Sequence, residues 1–426
     1  MGRDVCLYIM MKNILLHSLA LIMTVAAIGS IDAKAQSYDE CRGTATPYPV
    51  PEAREPLPDS LRLVAVTHVG RHGSRFATSD KRPKHVAEYL RAANGSGRLT
   101  ARGERLLSLI GKVMRQSDGH WGELDSLGAA EQRGIARRLY NAWPYLFNDT
   151  ITVNAIASYV PRCVMSMDQF THQIALSRND LDIASLSGPS NNSLLRPFQI
   201  DSAYLSFIRL APWKEDMEMF ERETVPLDPV RRLVGEYMDT DTVGARKIAI
   251  DMFGFLAGLN ASGFAGDWLE EYFTLDEARA LWSIGNARQY FEHSASAYSQ
   301  VPATIFRPLL SEMTEDLMLA AGGDSSCPVT LRFGHAETLM PLLSLIDAPG
   351  CRFLTTDPRE VASHWRNYNV APMAVNLQVL LCRSRGGRYY VRVDINERPV
   401  RLPGSKDIIM TLEEARSLFV KFTYNL

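Results

Sequence analysis

Residues 61–70, LRLVAVTHVG, form an apolar, β-branched run that reads as a buried strand, and it ends in Arg71-His72-Gly73-Ser74-Arg75. Two further runs have the same design. ITVNAIASYV (151–160) leads into Pro161-Arg162, and PVTLRFG (328–334) leads into His335-Ala336-Glu337. AVNLQVLLCR (374–383) and RYYVRVDINERPV (388–400) read as paired strands joined across Arg385-Gly386-Gly387. Helical patterns fit 127–143, 166–176 and 336–346, and Thr411-Leu-Glu-Glu opens a last helix with a capping box. Strands alternating with helices predict an α/β fold: a mixed, mainly parallel sheet with helices on both faces. The stretch 178–300 is rich in helix formers and aromatics and shows no clear strand, so it is expected to form an inserted α-helical cap. The α/β core is then expected to comprise 36–177 and 301–426.

Residues 1–35 read as a signal peptide. Lys12 precedes an apolar stretch from Leu19 to Gly29, and Ala33-Lys34-Ala35 supplies a small-x-small cleavage site. Met11 serves equally well as a start, and the apolar run is shorter than the ~20 residues a membrane span needs. The expected product is exported, periplasmic or secreted, after cleavage near Ala35-Gln36, with no stable membrane insertion. Five cysteines then remain: Cys41, Cys163, Cys327, Cys351 and Cys382. Two bridges plus one thiol, or buried unpaired thiols, both fit an oxidising compartment. No spacing suggests a metal site, and no cofactor is expected. Lys plus Arg number 46 against 48 Asp plus Glu, which argues against a nucleic-acid partner and makes any anion site a local one.

In open α/β sheets ligands sit beyond the carboxyl ends of the strands. If the three strands ending in reactive residues are parallel neighbours, Arg71, Arg75, Arg162, His72, His335 and Glu337 converge. Arginine is a fixed charge with a planar fork of donors that matches phosphate oxygens. Helix N-termini following the strands add backbone N–H donors. A neutral histidine held at one ring nitrogen attacks through the other, and a carboxyl group beside it can protonate a departing alcohol. Gly73 suits a sharp turn. The histidines at 68, 85, 120, 172, 293 and 364 are expected to be structural.

At these residues the chain resembles the histidine acid phosphatases, the second branch of the histidine phosphatase superfamily. RHGSR is like that family's RHGxRxP, and FGHAETLMPLLSLI is similar to the segment around its second histidine. His-Ala-Glu is the variant of the multiple inositol polyphosphate phosphatases, which act on phytate and lower inositol phosphates. GELDSLGAAEQRGIARRLY (122–140), ASYVPRCVMSMDQF (157–170) and NYNVAPMAVNLQVLLC (367–382) are similar to further family segments. The resemblance spans about 60 to 385 and is weakest in the helical middle. It implies that His72 is the nucleophile, that Arg71, Arg75, Arg162 and His335 hold the phosphate, and that Glu337 is the proton donor. Ala77 stands where the family has proline, which predicts a looser loop. Thr78 stands where a family threonine touches phosphate, and Lys81, Arg82 and Lys84 are candidates for the other phosphates of a polyanionic substrate. The implied partner is a small molecule, an inositol phosphate or another phosphomonoester. The alternatives are a broad-specificity acid phosphatase, a non-catalytic phosphate binder of the same fold and a mutase-like transferase.

Overall fold

The computed structural model describes residues 36–148, 150–235, 242–323 and 326–424. The expected signal peptide lies outside them. Among the described residues no helix is long and apolar enough to cross a membrane. Residues Tyr38–Leu426 form one compact unit.

Its centre is an eight-stranded mixed sheet: β1 (Leu61–Arg71), β2 (Thr152–Ala157), β3 (Asp182–Ser187), β4 (Val329–Gly334), β5 (Asn376–Ser384), β6 (Tyr389–Ile395), β7 (Arg398–Val400) and β8 (Ile409–Thr411). The order is β3-β2-β4-β1-β5-β6-β7, with β8 also on β6. β3, β2, β4 and β1 are mutually parallel, and β5 to β8 extend the sheet antiparallel. The alternation of strands and helices thus gives the expected α/β fold. β1 is central and covered on both faces, which is why its sequence runs apolar rather than alternating.

The helices that support the sheet and the site are α1 (Lys81–Gly95), α2 (Ala101–Ser117), α3 (Ser126–Ala142), α4 (Pro161–Ser177), α5 (Ser202–Leu210), α6 (Lys214–Thr224), α7 (Asp228–Val234), α8 (Thr242–Ala257), α9 (Leu275–His293), α10 (Arg307–Ala321), α11 (Ala336–Leu345) and α12 (Leu412–Tyr424). On one face α3 and α4 bury Ile135, Leu139, Phe170 and Ile174 against Val153, Leu331 and Phe333. On the other face one continuous apolar core joins Val69, Val379 and Leu342 to Phe220, Phe255 and Trp282 of the helical layer.

Three details differ from the sequence reading. The segment 178–300 opens with β3, an edge strand that is mostly exposed and so lacks the apolar alternation that marks a strand. The helical layer also recruits α1 and α2, which pack on α8 and α7. The run 388–400 is split at Asn396 and Glu397, both at positive φ (50° and 65°), so it forms the hairpin β6–β7. The five cysteines among the described residues are unpaired, with Cys41, Cys163, Cys351 and Cys382 buried and Cys327 exposed.

Two glycines fix how α3 meets the loop after β1. A Cβ on Gly73 would strike the backbone of Gly128, and a Cβ on Gly128 would strike that of Ser74. Close approach, rather than a sharp turn, is therefore what requires Gly73. Gly285 is the opposite case: it lies inside α9, is exposed, and has open space around it. Gly128→Ala should destabilise the protein by about 1–3 kcal/mol, as overpacking does. Gly285→Ala should stabilise it by roughly 0.5–1 kcal/mol through helix propensity. Urea unfolding midpoints that move in opposite directions for the two variants check both statements.

Candidate active site

The register of the parallel strands brings three chain ends level. Arg71 lies opposite Gly334 on β4, and Ala157 lies opposite Phe333. The residues that follow, His72, Ser158 to Arg162 and His335 to Glu337, therefore crowd one edge of the sheet. Helices start promptly after two of these strands, α4 at Pro161 and α11 at Ala336. After β1 no helix follows until Lys81, contrary to the expectation of a helix behind each strand.

His72 is buried, and its Nδ1 lies 2.8 Å from the Gly73 carbonyl oxygen. A carbonyl only accepts, so Nδ1 carries the hydrogen and Nε2 keeps its lone pair. Burial, followed by the charges of Arg71, Arg162 and Arg75, holds the His72 pKa well below the usual histidine value. The ring is neutral, with one nitrogen bare. The rings of His72 and His335 are 5.8 Å apart and nearly perpendicular, at 73°.

Arg71 donates through one terminal nitrogen to the carbonyls of Thr44 (2.6 Å) and Ala371 (2.7 Å). Burial comes first in depressing Arg71 to about 10 and Arg75 to about 9, and repulsion among the arginines adds to it. Such depression marks a positive cluster short of anions. Arg196, which the sequence reading missed, joins the cluster. It is buried against the rings of Tyr159 (5.2 Å) and Phe198 (5.5 Å). Its segment is a series of short turns without periodicity, and no sequence signal marks it.

His335 explains why an anion fits here. Its Nε2 lies 2.9 Å from Arg196 Nη1 and 3.0 Å from Ser158 Oγ, and its Nδ1 lies 3.3 Å from Arg162 Nη2. Both ring nitrogens face an arginine donor, and a neutral imidazole can accept at only one of them, so the other nitrogen meets its arginine donor to donor. A phosphate oxygen between them would satisfy both. Burial, together with Arg162, Arg196 and Arg71, holds His335 down to about 3 against the upward pull of Glu337.

Glu337 lies in the first turn of α11. Burial alone would raise its pKa, but His293, His335, its own backbone N–H and Arg71 together bring it down to about 2. These neighbours favour its ionised form. His293, expected to be structural, ends α9 with Nδ1 3.1 Å from the Tyr204 hydroxyl, and it heads the groups that favour the charged form of Glu337.

The remaining candidates separate. Thr78 borders the cluster: a Cβ on Gly122 would lie 3.7 Å from Thr78 Cα and 3.8 Å from Arg162 Nη1. The loop is also tied down despite Ala77, because Gly122 N donates to Ala77 O (2.8 Å) and Phe76 N to Glu123 O (3.0 Å). Lys81 is exposed at the start of α1, Lys84 pairs with Asp80, and Arg82 lies 3.7 Å from Asp251 on α8. Arg82 and Lys84 therefore already have protein partners.

The loop that bears His72 is held by side chains the sequence reading did not single out. Gly73 N donates to Ser166 Oγ (3.2 Å), Ser74 N to Glu131 Oε2 (2.7 Å), and Gln132 Nε2 to Arg71 O (2.9 Å). His72 N donates to Gly334 O (3.1 Å), and Ala374 N to His72 O (3.1 Å).

No family model matches the chain. It is 24% identical over 406 residues to multiple inositol polyphosphate phosphatase 1 of Homo sapiens, covering 88% of this chain and 82% of that protein. Among solved structures, the Bifidobacterium longum multiple inositol polyphosphate phosphatase in complex with phosphate superposes with a TM-score of 0.79 at 17% identity, covering 90% of this chain and 98% of that one. The phytase from D. castellii gives a TM-score of 0.73 at 17% identity, covering 93% and 90% of the two chains. Over most of its length the chain is thus similar in sequence to multiple inositol polyphosphate phosphatase 1, and it shares the fold of a solved multiple inositol polyphosphate phosphatase and of a phytase.

Proposed function

We propose that the protein is an exported phosphomonoesterase that hydrolyses inositol polyphosphates, phytate included, through a phosphohistidine on His72, with Glu337 as proton donor. The observation that carries this reading is the facing pair His72 and His335, 5.8 Å apart, among Arg71, Arg75 and Arg162 from the ends of adjacent parallel strands and Arg196 from the short turns beyond β3. The likeness to inositol polyphosphate phosphatases and a phytase supports the substrate class. Export rests on the reading of residues 1–35 as a signal peptide.

In this reading Arg71, Arg75, Arg162 and His335 seat the scissile phosphate. The lone pair on His72 Nε2 attacks phosphorus, and the bond to the inositol oxygen breaks. Glu337 gives its proton to that oxygen, so the alcohol leaves neutral. Water then attacks the phosphohistidine and gives a proton to the Glu337 carboxylate, and phosphate departs as His72 regains its lone pair. The neighbours of Glu337 favour its ionised form, so its proton is acquired with substrate. A phosphate dianion beside the carboxylate raises its proton affinity, and activity should fall above neutral pH as the bound complex loses that proton.

Two variants test the assignment. His72→Ala should lose at least ~10³-fold in kcat while inhibition by inorganic phosphate persists, because the arginines remain. Glu337→Gln should lower kcat on phytate by ~10²-fold or more, the usual scale for a general acid. Its effect on p-nitrophenyl phosphate should be much smaller, since that phenolate leaves without a proton. Near-normal turnover by His72→Ala, or equal losses on both substrates for Glu337→Gln, would contradict the respective role.

A further inference from the structure

The loop from His72 to Arg75 has no helix behind it, so its backbone groups are satisfied from outside. Most of its partners are neutral: main-chain groups of Gly334 and Ala374, and the hydroxyl of Ser166. Glu131 is the exception. It sits on α3 one turn beyond Gly128, whose backbone presses against Gly73 and Ser74. Its side chain is buried in an environment with two backbone donors, one at each oxygen. Oε2 accepts from Ser74 N at 2.7 Å and Oε1 accepts from Tyr48 N at 2.9 Å.

Those two donors belong to different parts of the fold. Ser74 is two residues from the nucleophile. Tyr48 is anchored to the antiparallel side of the sheet: its hydroxyl donates to Glu397 Oε1 (2.8 Å) and accepts from Asn376 Nδ2 (3.1 Å). Arg138 in turn holds Glu397 through both carboxylate oxygens, at 2.6 to 3.1 Å. Glu131 is thus a brace between a fixed anchor and the catalytic loop. Hydrogen bonds to an ionised acceptor are shorter and stronger than neutral ones.

We infer that Glu131 is a positioning residue for the reaction: its ionised carboxylate aims His72, and its protonation releases the loop and sets the acid limb of activity. This rests on the reading of His72 as the nucleophile. A carboxylic acid keeps one good acceptor and turns the other oxygen into a donor. With an N–H at each oxygen, protonation sets O–H against N–H and one end of the brace opens. The charged groups that face Glu131 are Arg71, from the end of β1, and Asp125, at the N-cap of α3. Burial pushes the Glu131 carboxyl above its ordinary value, Asp125 adds to this, and the N–H groups of Tyr48 and Ser74 with Arg71 oppose it. Glu337 moves the other way. Without substrate, Glu131 therefore takes its proton before Glu337 does as the pH falls. The contribution of Glu131 to activity is full above its pKa and is lost as pH falls through it, which makes it the acid limb, while Glu337 sets the alkaline one.

The experiment is the pH dependence of kcat and KM for phytate and p-nitrophenyl phosphate with wild type, Glu131→Gln, Asp125→Asn and His72→Ala. Glutamine matches the shape of protonated Glu131, with a donor fixed against one N–H. Glu131→Gln should lose ~10- to 100-fold in kcat on both substrates, the scale of a roughly 1 Å misplacement. KM should change less than about threefold, and the variant should lack the wild-type acid limb. Asp125→Asn, whose carboxyl is also pushed up by burial, should keep that limb, displaced to lower pH because the Asp125 charge no longer adds to the rise at Glu131. A Glu131→Gln enzyme with wild-type kcat and an unchanged limb overturns the inference, as does a limb that disappears with Asp125→Asn instead. Should Glu131→Gln not fold, the Ser74 amide proton resonance of wild type decides. It should titrate with the midpoint of the acid limb, and a resonance that stays fixed through that range overturns the inference. An active His72→Ala would instead sink the functional reading, whereas a dead His72→Ala beside a normal Glu131→Gln would sink the positioning role alone.

Discussion

Four guanidinium groups, Arg71 and Arg196 buried and Arg75 and Arg162 partly so, gather at the ends of three parallel strands, and their mutual repulsion is the constraint around which the rest is arranged. Arg71 is held by two backbone carbonyls, Arg196 lies against two aromatic rings, and Arg162 rides on the second position of α4. These anchors keep the charges in place without neutralising them. Unneutralised positive charge at strand ends and helix N-termini is what an anion with several oxygens would satisfy. Together with burial it keeps both site histidines neutral, since both oppose a further positive charge.

Keeping a neutral histidine aimed within such a cluster demands a stiff loop. Stiffness comes from the paired glycines at the contact of α3 with the loop, and from side chains of α3 and α4 that take up the loop's backbone groups. The sheet supplies the strand ends in register, and the helical layer contributes Arg196, His293 and Tyr204 from the other side. Strand ends and helical layer thus form one site, which accords with an apolar core that runs between them without a break.

Much of this was legible in the sequence because the signals are local. A central parallel strand is apolar on both faces, so β1 stands out, and the residues after it are where chemistry belongs. RHGSR and HAE were therefore found at the ends of β1 and β4, with Arg162 at the end of β2. What stayed hidden lacks such a signal. Glu131 sits in an amphipathic helix, where a glutamate ordinarily faces water. Arg196 lies among short turns. β3 is an exposed edge strand without alternation, and the β6–β7 turn uses Asn396-Glu397 where Asn-Gly would have announced it. His293 is separated from Glu337 by more than forty residues of chain, so only the folded molecule brings them to one place.

The central claim is that phosphate passes through His72, and a quench of steady-state turnover measures it most directly. Enzyme mixed with ³²P-labelled substrate, stopped in alkaline denaturant and digested, should carry label on the peptide containing His72. That label should be lost in acid and retained in base, as a phosphohistidine is. Label on another peptide, an acid-stable label, or turnover with no labelled protein at any time point would contradict the account.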